Sequence, residues 1–397
     1  MLTRPGWLCL WGGLALLVVA RLLGIGELYV FGAVALGLVA VAVLYVRLTR
    51  LDLQVDRTVH PAHVHVGHTS RVDVHVRNLR GHDTPVLRLR DAVTGTAGAE
   101  VLVPPLNHHE ASVATYRLPT GRRGVVGVGP LRVVVTDPFG LVQAGTTAAP
   151  RVDVTVYPHV DDVRPVPFTT SNDPMAGALH PQALGRTGDD FYALRPYVVG
   201  DDLRRIHWRS TARHDELLVR QQEQPWQGRT TVLLDVRRAG HVPESFERAV
   251  SAAASVVTAN AARRDLVRLV TTDGADSGFG SGSAHTRALL EHLAVVESTG
   301  GASLRGTIDL VRRDGQGALV VVVGQTVPDE LASIGRLSQR FGLVIVVQVD
   351  PSGREGGAPP PSTTTPLISV TADRPFPTAW NSTLPSLTSR PVGGGVR

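Results

Sequence analysis

The chain has 397 residues, enough for two or three domains, and 43% of them are hydrophobic, so a sizeable core is possible. A single cysteine, Cys9, excludes a disulfide framework and a metal site made of thiolates. The formal net charge is +5 and all 40 basic residues are arginine, interleaved with 35 acidic residues rather than gathered in a basic stripe with aromatic partners. Direct nucleic-acid binding is therefore not expected.

Two apolar stretches near the N-terminus predict a membrane hairpin. Residues 7–26 and 28–46 each approach the roughly 20 residues that cross a bilayer, and a short break around Glu27 separates them. A cleaved signal peptide followed by one span is the alternative, but no small-residue cleavage site precedes Glu27.

The arginines that flank these stretches indicate an orientation. Arg4 precedes the first stretch, and Arg47, Arg50 and Arg57 follow the second, so both ends are expected to face the cytoplasm. Arg21 lies near the far end of the first span, on the side expected to face away from the cytoplasm. Its positive charge argues slightly against this orientation. We expect a multi-pass cell-membrane protein whose soluble body is cytoplasmic.

Residues 51–160 have the pattern of short strands. Residues 63–78 alternate apolar and polar side chains, which is the period of a half-buried strand. Further runs lie at 86–89, 112–118, 131–136 and 152–157, separated by Gly, Pro and Asn. This spacing predicts a small antiparallel β-sandwich.

A group of histidines in this region is a candidate metal site. His60, His63, His65 and His68 are close in sequence, and His63 and His65 would share one face of a strand, about 7 Å apart. No carboxylate neighbours them, so histidines on a solvated strand face are the simpler interpretation.

The remainder alternates strand and helix patterns. Residues 161–187 have the composition of a linker, and 351–365 that of a loop. Strand patterns occur at 230–236, 266–272, 318–324, 343–349 and 367–371, and helix patterns at 244–264, 283–297 and 330–341. This alternation predicts a parallel sheet with helices on both faces.

Asp235 lies at the end of the first buried strand, where ligands bind in open parallel sheets. The metal sites of von Willebrand factor A-type domains have Asp-x-Ser-x-Ser here, whereas this chain has Asp-Val-Arg-Arg-Ala. Arg237 would repel a dication, and Ala239 offers no oxygen ligand. We expect a degenerate metal-site position, in which Asp235 caps the next element or pairs with an arginine.

A charged segment precedes this domain. Its acids are Asp201 and Asp202, after Gly200, and its arginines are Arg204, Arg205, Arg209 and Arg213. We expect the acids to begin a helix, with arginines in ion-pair reach and Ile206 turned inward. The segment is then a salt-bridged brace, a partner-binding surface anchored by Trp208 and Arg213, or both.

Residues 188–223 closely resemble the signature of the bacterial family catalogued as domain of unknown function fifty-eight, in essence Tyr-x-Pro-Gly-Asp-x-x-Arg-x-Ile-x-Trp-x-x-x-Ala-Arg. The matching positions are Tyr197, Gly200, Asp201, Arg204, Ile206, Trp208, Ala212 and Arg213. Val198 and Val199 replace the usual residues before the glycine. Residues 122–141 also match, at Arg123, Gly124, Asp137, Pro138, Phe139 and Gly140.

The resemblance implies a von Willebrand factor A-like domain after the motif and frequent genetic pairing with MoxR-type AAA+ ATPases. It also implies a role in assembling or activating protein complexes. The expected fold class is α/β plus all-β. The parts are a transmembrane hairpin (1–50), a β-sandwich-like domain (51–160), a linker with the signature motif (161–225), a von Willebrand factor A-like parallel-sheet domain (226–375) and a flexible tail (376–397).

We therefore expect a membrane-anchored interaction module, an adaptor or partner of a MoxR-type ATPase, with no enzymatic activity and no cofactor. Two alternatives stay open at this point. One is a metal-dependent, envelope-associated hydrolase that uses Asp235 with histidines, and the other is a structural envelope protein.

Overall fold

The computed structural model describes residues 1–49, 51–167, 191–198, 206–214, 216–222, 228–350 and 365–388. The chain divides into two compact units. The first contains Met1–His159 with Leu290–Val295, and the second contains Val160–Leu289 with Val296–Arg397.

Two apolar helices begin the chain, as the sequence predicts. Helix α1 spans Arg4–Leu23 and α2 spans Gly26–Leu48, and both are long and apolar enough to cross a membrane. They approach closely where both lack a side chain, because a Cβ on Gly32 would lie 3.0 Å from the carbonyl oxygen of Gly13. Glycine at both positions therefore favours this close approach of the two helices.

Nine strands follow: β1 (Leu53–His60), β2 (His63–His65), β3 (Arg71–Asn78), β4 (Leu87–Val93), β5 (Ala99–Val103), β6 (Ala111–Arg117), β7 (Gly124–Thr136), β8 (Gln143–Ala149) and β9 (Val152–Tyr157). One sheet has the order β1-β3-β6, and the other β2-β9-β7-β4-β5 with β8 on the second half of β7. Their inward-facing Val and Leu residues form a common core, as strand alternation requires. The pairs are antiparallel except β2–β9, so the second sheet is mixed rather than purely antiparallel.

A buried ionic triad crosses the two sheets. Arg57 on β1 contacts Asp91 on β4 at 3.0 Å, and the Tyr116 hydroxyl on β6 donates to the same carboxylate at 2.6 Å. The side chains of Arg57 and Asp91 are 3% and 2% exposed. Burial and the Asp91 carboxylate raise the pKa of Tyr116, so its hydroxyl stays protonated and remains a donor.

Three short elements carry the described part of the signature motif: β10 (Phe191–Pro196), α3 (Trp208–His214) and β11 (Leu218–Gln222). Strands β10 and β11 pair antiparallel, and Ile206 bridges Val219. The expectation of a helix that runs from the acids through Ile206 is wrong, because Ile206 is held in this bridge and the helix begins only at Trp208.

The second unit is built on a five-stranded sheet. Its strands are β12 (Arg229–Leu234), β13 (Leu266–Thr271), β14 (Ala318–Val323), β15 (Leu343–Val349) and β16 (Leu367–Val370), and its helices are α4 (Pro243–Ala262), α5 (Gly282–Val295), α6 (Leu304–Arg313), α7 (Pro328–Gly335) and α8 (Phe376–Thr388). All described strand pairs in it are parallel, in the order β13-β12-β14-β15-β16. This is the doubly wound order 2-1-3-4-5.

Helices cover both faces of this sheet. Alternate residues of β12 to β15 pack with α6 and α7 in one apolar cluster, and α4 packs on the same strands through its buried Ala and Val side chains. The sequence pattern misses α6. It also extends α7 too far, because the helix ends at Gly335 and a 3₁₀ turn follows over Arg336–Gln339.

The assignment of a flexible tail from residue 376 is wrong over residues 376–388, which form α8. Trp380 is fully buried, and its Nε1–H donates to the carbonyl of Arg164 at 2.8 Å. Asn381 accepts from the Arg164 backbone amide at 2.9 Å, and Asn260 on α4 accepts from that of Val166 at 3.1 Å. Residues 164–166, at the start of the predicted linker, are thus hydrogen-bonded to helices α4 and α8.

We expect Asp91→Ala to lower the free energy of unfolding by about 3–5 kcal/mol, because Arg57 stays buried without a counter-charge. The control is Asp153→Ala. Its ion pair with Arg151 is more than half exposed, and its loss is expected to cost at most about 1 kcal/mol. Denaturant unfolding of the detergent-solubilised chain measures both, and equal effects would contradict the buried triad.

Candidate functional site

The candidate site lies at the carboxyl ends of β12 and β14. After β12 the chain crosses to β13 on one side, and β14 lies on the other side. The connections that leave the two central strands therefore diverge here. Such a point is where open parallel sheets bind ligands. The residues that fill it come from the loop after β12 (235–242) and the loop after β14 (324–327).

Asp235 is the first of these residues, and it is fully buried. Its Oδ1 accepts from the backbone amide of Arg237 at 3.0 Å and from the hydroxyl of Thr272 at 3.2 Å. The Thr272 hydroxyl in turn accepts from the Val236 amide at 2.8 Å. These contacts fix the orientation of the carboxylate, but none supplies a full positive charge.

Arg237 supplies that charge. Its Nε lies 3.0 and 3.1 Å from the two Asp235 oxygens, and its Nη2 lies 2.9 Å from Oδ2. The other edge of the guanidinium contacts Glu330 at 2.6 and 3.2 Å. The hydrogen bond to Asp235 is the main cause that raises the pKa of Arg237, so the group is permanently charged.

Glu330 connects this pair to α7. It is the third residue of that helix, and one of its oxygens lies 3.4 Å from the Val327 amide at the cap. A carboxylate is favourable here because the first turn carries free amides and the positive end of the helix dipole. Arg237 thus bridges a carboxylate of the loop after β12 and a carboxylate in the first turn of α7.

His241 and two glycines close the crevice. Burial lowers the pKa of His241, so the ring is neutral and its Nε2–H donates to the Asp235 carbonyl at 2.9 Å. The Gln325 amide donates to Gly240 O at 2.8 Å. A Cβ on Gly324 would lie 2.0 Å from that oxygen. The two loops therefore pack backbone against backbone above the sheet.

These residues do not fit a divalent metal ion. Both oxygens of Asp235 face the guanidinium of Arg237, and a dication there would be repelled. Ala239 adds no oxygen ligand. Among the residues that the structure describes, no three His, Cys, Asp or Glu side chains are grouped in a way that could hold a metal.

The histidines of β2, which the sequence suggests as candidate metal ligands, contact an aromatic ring and a backbone carbonyl. His63 stacks on Tyr157, with ring centroids 5.6 Å apart, and His65 Nδ1 lies 2.8 Å from the Pro158 carbonyl oxygen. They belong to the first unit, whereas Asp235 belongs to the second.

The signature motif is a separate surface. Tyr197 is half-buried and its amide donates to the Leu217 carbonyl at 2.7 Å, while Ile206 is buried. Trp208 is 66% exposed, and Arg213 is exposed. The positions outside the described residues are Gly200, Asp201, Asp202, Arg204 and Arg205.

Sequence reasoning does not find Glu330, Thr272 or His241. Glu330 has a local signal, because it follows a proline by two residues at a helix start. Its contact with Arg237 depends on the crossover from β14 to α7, which no local pattern contains. Thr272 likewise reaches Asp235 only because β13 pairs with β12.

We expect Arg237→Ala to destabilise the chain by about 3–5 kcal/mol, because Asp235 would remain buried without its counter-charge. The matched control is the neighbouring Arg238→Ala, since Arg238 is exposed and its side chain makes a long hydrogen bond to Ser298 O at 3.3 Å. That change is expected to stay within about 0.5 kcal/mol. Denaturant unfolding measures both variants. Equal losses would show that Arg237 does not compensate Asp235.

A second prediction is that Arg237 prevents a divalent cation from binding at Asp235. The double variant Arg237→Ser, Ala239→Ser removes the guanidinium and restores the Asp-x-Ser-x-Ser pattern. We expect Mg²⁺ or Mn²⁺ to raise its melting temperature, because oxygen ligands replace the repelling charge. The control variant Arg238→Ser, Ala239→Ser keeps Arg237 and is expected to show no rise. A metal response in the control as well would contradict exclusion by Arg237.

Comparison with solved structures finds likenesses that cover part of the chain. The CARDB domain of the PF1109 protein from Pyrococcus furiosus, solved in complex with di-metal ions, is 25% identical over 27% of this chain and 94% of its own, with a TM-score of 0.22. A β-glucosidase from Erythrobacter marinus is 15% identical over 27% of this chain and 15% of its own, with a TM-score of 0.19. Scores this low carry no argument about this protein.

A comparison with curated proteins finds no match. The model of the family described as "Protein of unknown function DUF58" matches residues 193–356. That range contains the described part of the signature motif and the sheet from β12 to β15, with the Asp235–Arg237–Glu330 cluster. Over that range, which is less than half of the chain, this protein is similar to the DUF58 family.

Proposed function

We propose that this chain is a membrane-anchored protein-interaction module. It acts as an adaptor or partner of a MoxR-type AAA+ ATPase in the assembly or activation of protein complexes. Its second unit serves as a von Willebrand factor A-like domain that binds without a metal. The proposal combines the family resemblance with the geometry of the signature motif.

The observation that carries this proposal is the exposure of Trp208. This side chain is 66% exposed, beside Val198 at 62% and Leu217 at 42%. Backbone hydrogen bonds from Tyr197 to Leu217 and from His207 to Leu218 bring the three positions to the same end of β11. Large apolar side chains grouped on a surface are typical of a partner site, and tryptophan is the residue most enriched in binding hot spots.

The Arg237 cluster supports a surface mode of binding. A von Willebrand factor A-like domain with a metal site would bind its ligand at the carboxyl end of its sheet. Here the corresponding carboxylate is paired with Arg237 and the two loops pack together. Recognition is therefore expected at the motif surface instead.

The two apolar helices support membrane attachment. They are joined by a short connection and both are long enough to span a bilayer. We propose that they hold the soluble units at the cytoplasmic face, following the arginine distribution.

A metal-dependent hydrolase is less well supported by the geometry. It needs a carboxylate free to bind a metal, whereas Asp235 is engaged by Arg237. The histidines considered for such a site lie in the other unit. No observation in the described residues specifically favours a structural envelope role.

We expect Trp208→Ala to reduce capture of the genetically neighbouring MoxR-type ATPase by at least about tenfold, the effect of losing a hot spot of 2 kcal/mol or more. The full-length chain is purified from membranes with and without ATP, and the bound ATPase is quantified. The control is Val327→Ala, which removes another exposed apolar side chain, 55% exposed, outside the motif.

Because Trp208 is exposed, the melting temperature of Trp208→Ala is expected to match that of the wild type. Unfolding of this variant would favour the brace interpretation of the motif. Failure of the wild-type chain to bind the ATPase under either nucleotide condition would refute the proposed partnership.

A further inference from the structure

A tight turn, residues 137–142, joins β7 to β8, and it is called here the Asp137 turn. Asp137 is 3% exposed, and its carboxylate accepts from the amides of Phe139 at 2.9 Å and Val142 at 2.5 Å. Gly140 has φ +70° and donates to the Asp137 carbonyl at 3.0 Å. The turn is therefore rigid, yet it presents Phe139 with 60% of its surface exposed.

The Asp137 turn is fastened to the start of α1. The amide of Thr3 donates to Leu141 O at 2.9 Å, and the Thr3 hydroxyl donates to Gly140 O at 2.6 Å. Thr3 is also the N-cap of α1, where its hydroxyl accepts from the Gly6 amide. A Cβ on Gly6 would lie 2.1 Å from Leu141 O, so the helix and the turn meet at backbone distance.

Apolar contacts attach the same turn to α2. Leu141 and Val142 are buried in one cluster with Val39, Ala42 and Val46 of that helix. The turn thus lies level with the first turn of α1 and the last turns of α2. In the hairpin that we propose spans the membrane, this level is the bilayer interface.

Two further features agree with a position of the Asp137 turn at the bilayer interface. Trp7 and Trp11 on α1 stack on each other, and they are 48% and 60% exposed, as expected of an interfacial aromatic belt. The only charged side chain of the Asp137 turn is Asp137 itself, and its carboxylate is buried and hydrogen-bonded. No exposed charge of the turn opposes contact with lipid.

We propose that Phe139 inserts into the headgroup–acyl boundary of the bilayer, so that the Asp137 turn anchors the β-sandwich to the lipid surface. The proposal rests on the membrane anchoring proposed above, and it adds a lipid contact made by the sandwich itself. An aromatic ring held on a rigid turn suits this interface, where one side is apolar and the other is wet. The sandwich is then fixed against the membrane rather than hanging from a loose connection.

Site-directed spin labelling tests the position of Phe139. Cys9 is the only cysteine, so Cys9→Ser gives a background for single labels at Phe139→Cys, Leu14→Cys and Val125→Cys. Leu14 is 46% exposed on α1 and is the lipid reference. Val125 is 46% exposed at the opposite end of β7 and is the water reference. The full chain is reconstituted into phosphatidylcholine–phosphatidylglycerol vesicles, and collisions with oxygen and with a water-soluble nickel chelate are measured.

We expect the label at 139 to be several-fold less accessible to the nickel chelate than the label at 125, and more accessible than the label at 14. If the label at 139 behaves as the one at 125 while the label at 14 is in lipid, the insertion of Phe139 is refuted and membrane anchoring stands. If the label at 14 is in water as well, both proposals fail.

A glycine pair tests how the turn is held. Gly6→Ala would place a methyl group against Leu141 O, whereas a Cβ on Gly12 of the same helix meets nothing within 4 Å. We expect Gly6→Ala to shift the label at 139 toward water and Gly12→Ala to leave it unchanged, with the label at 14 in lipid in both. No shift with Gly6→Ala would show that α1 does not position the turn.

Discussion

The second unit depends on one electrostatic constraint: a fully buried carboxylate at the end of its first strand requires a positive charge. Arg237 meets the requirement from two residues away and also contacts Glu330, so one guanidinium joins the end of β12 to the start of α7. A charge buried at 0% exposure is tolerated only when paired in this way. The same group occupies the place where a parallel-sheet domain would receive a ligand. The pairing of the buried carboxylate and its poor fit to a metal ion are therefore two results of a single side chain.

The packing of the two loops bears on where the partner that we propose would bind. Backbone contact between Gly240 and the residues after β14 leaves the loops packed together above the sheet. The neutral His241 ring adds a hydrogen bond but no charge. In the described part of the signature motif, the exposed large apolar side chains are Trp208, Val198 and Leu217. A contact made mainly by apolar side chains needs no ion, which agrees with a domain whose acidic residue is already satisfied.

The sequence predicts those parts of the fold that local patterns determine. The two apolar helices, the strands of the sandwich and the buried strands of the parallel sheet all follow from hydrophobic period and length. Helix α8 is missed because it contains Pro385 and small polar residues, and its stability comes from Trp380, whose partner Arg164 is distant in sequence. The expectation that a helix includes Ile206 fails for a related reason, since strand pairing of Ile206 with Val219 overrides helical spacing. In the candidate site, the sequence predicts that Asp235 caps the next element or pairs with an arginine, because Arg237 and Arg238 follow it closely, whereas the contact with Glu330 cannot be predicted.

Outside the paired strands, side chains of this protein repeatedly hold a segment of backbone in place by hydrogen bonds. Asn260 and Asn381 hold residues 164–166 against the second unit, and Thr3 holds the Asp137 turn against the start of α1. In each case a short polar side chain satisfies backbone groups that would otherwise need water. Hydrogen bonds of this kind fix a segment from one side and leave its other side exposed. In the Asp137 turn the one charged side chain, Asp137, is buried and hydrogen-bonded, so the large side chain that the turn leaves exposed is the apolar ring of Phe139.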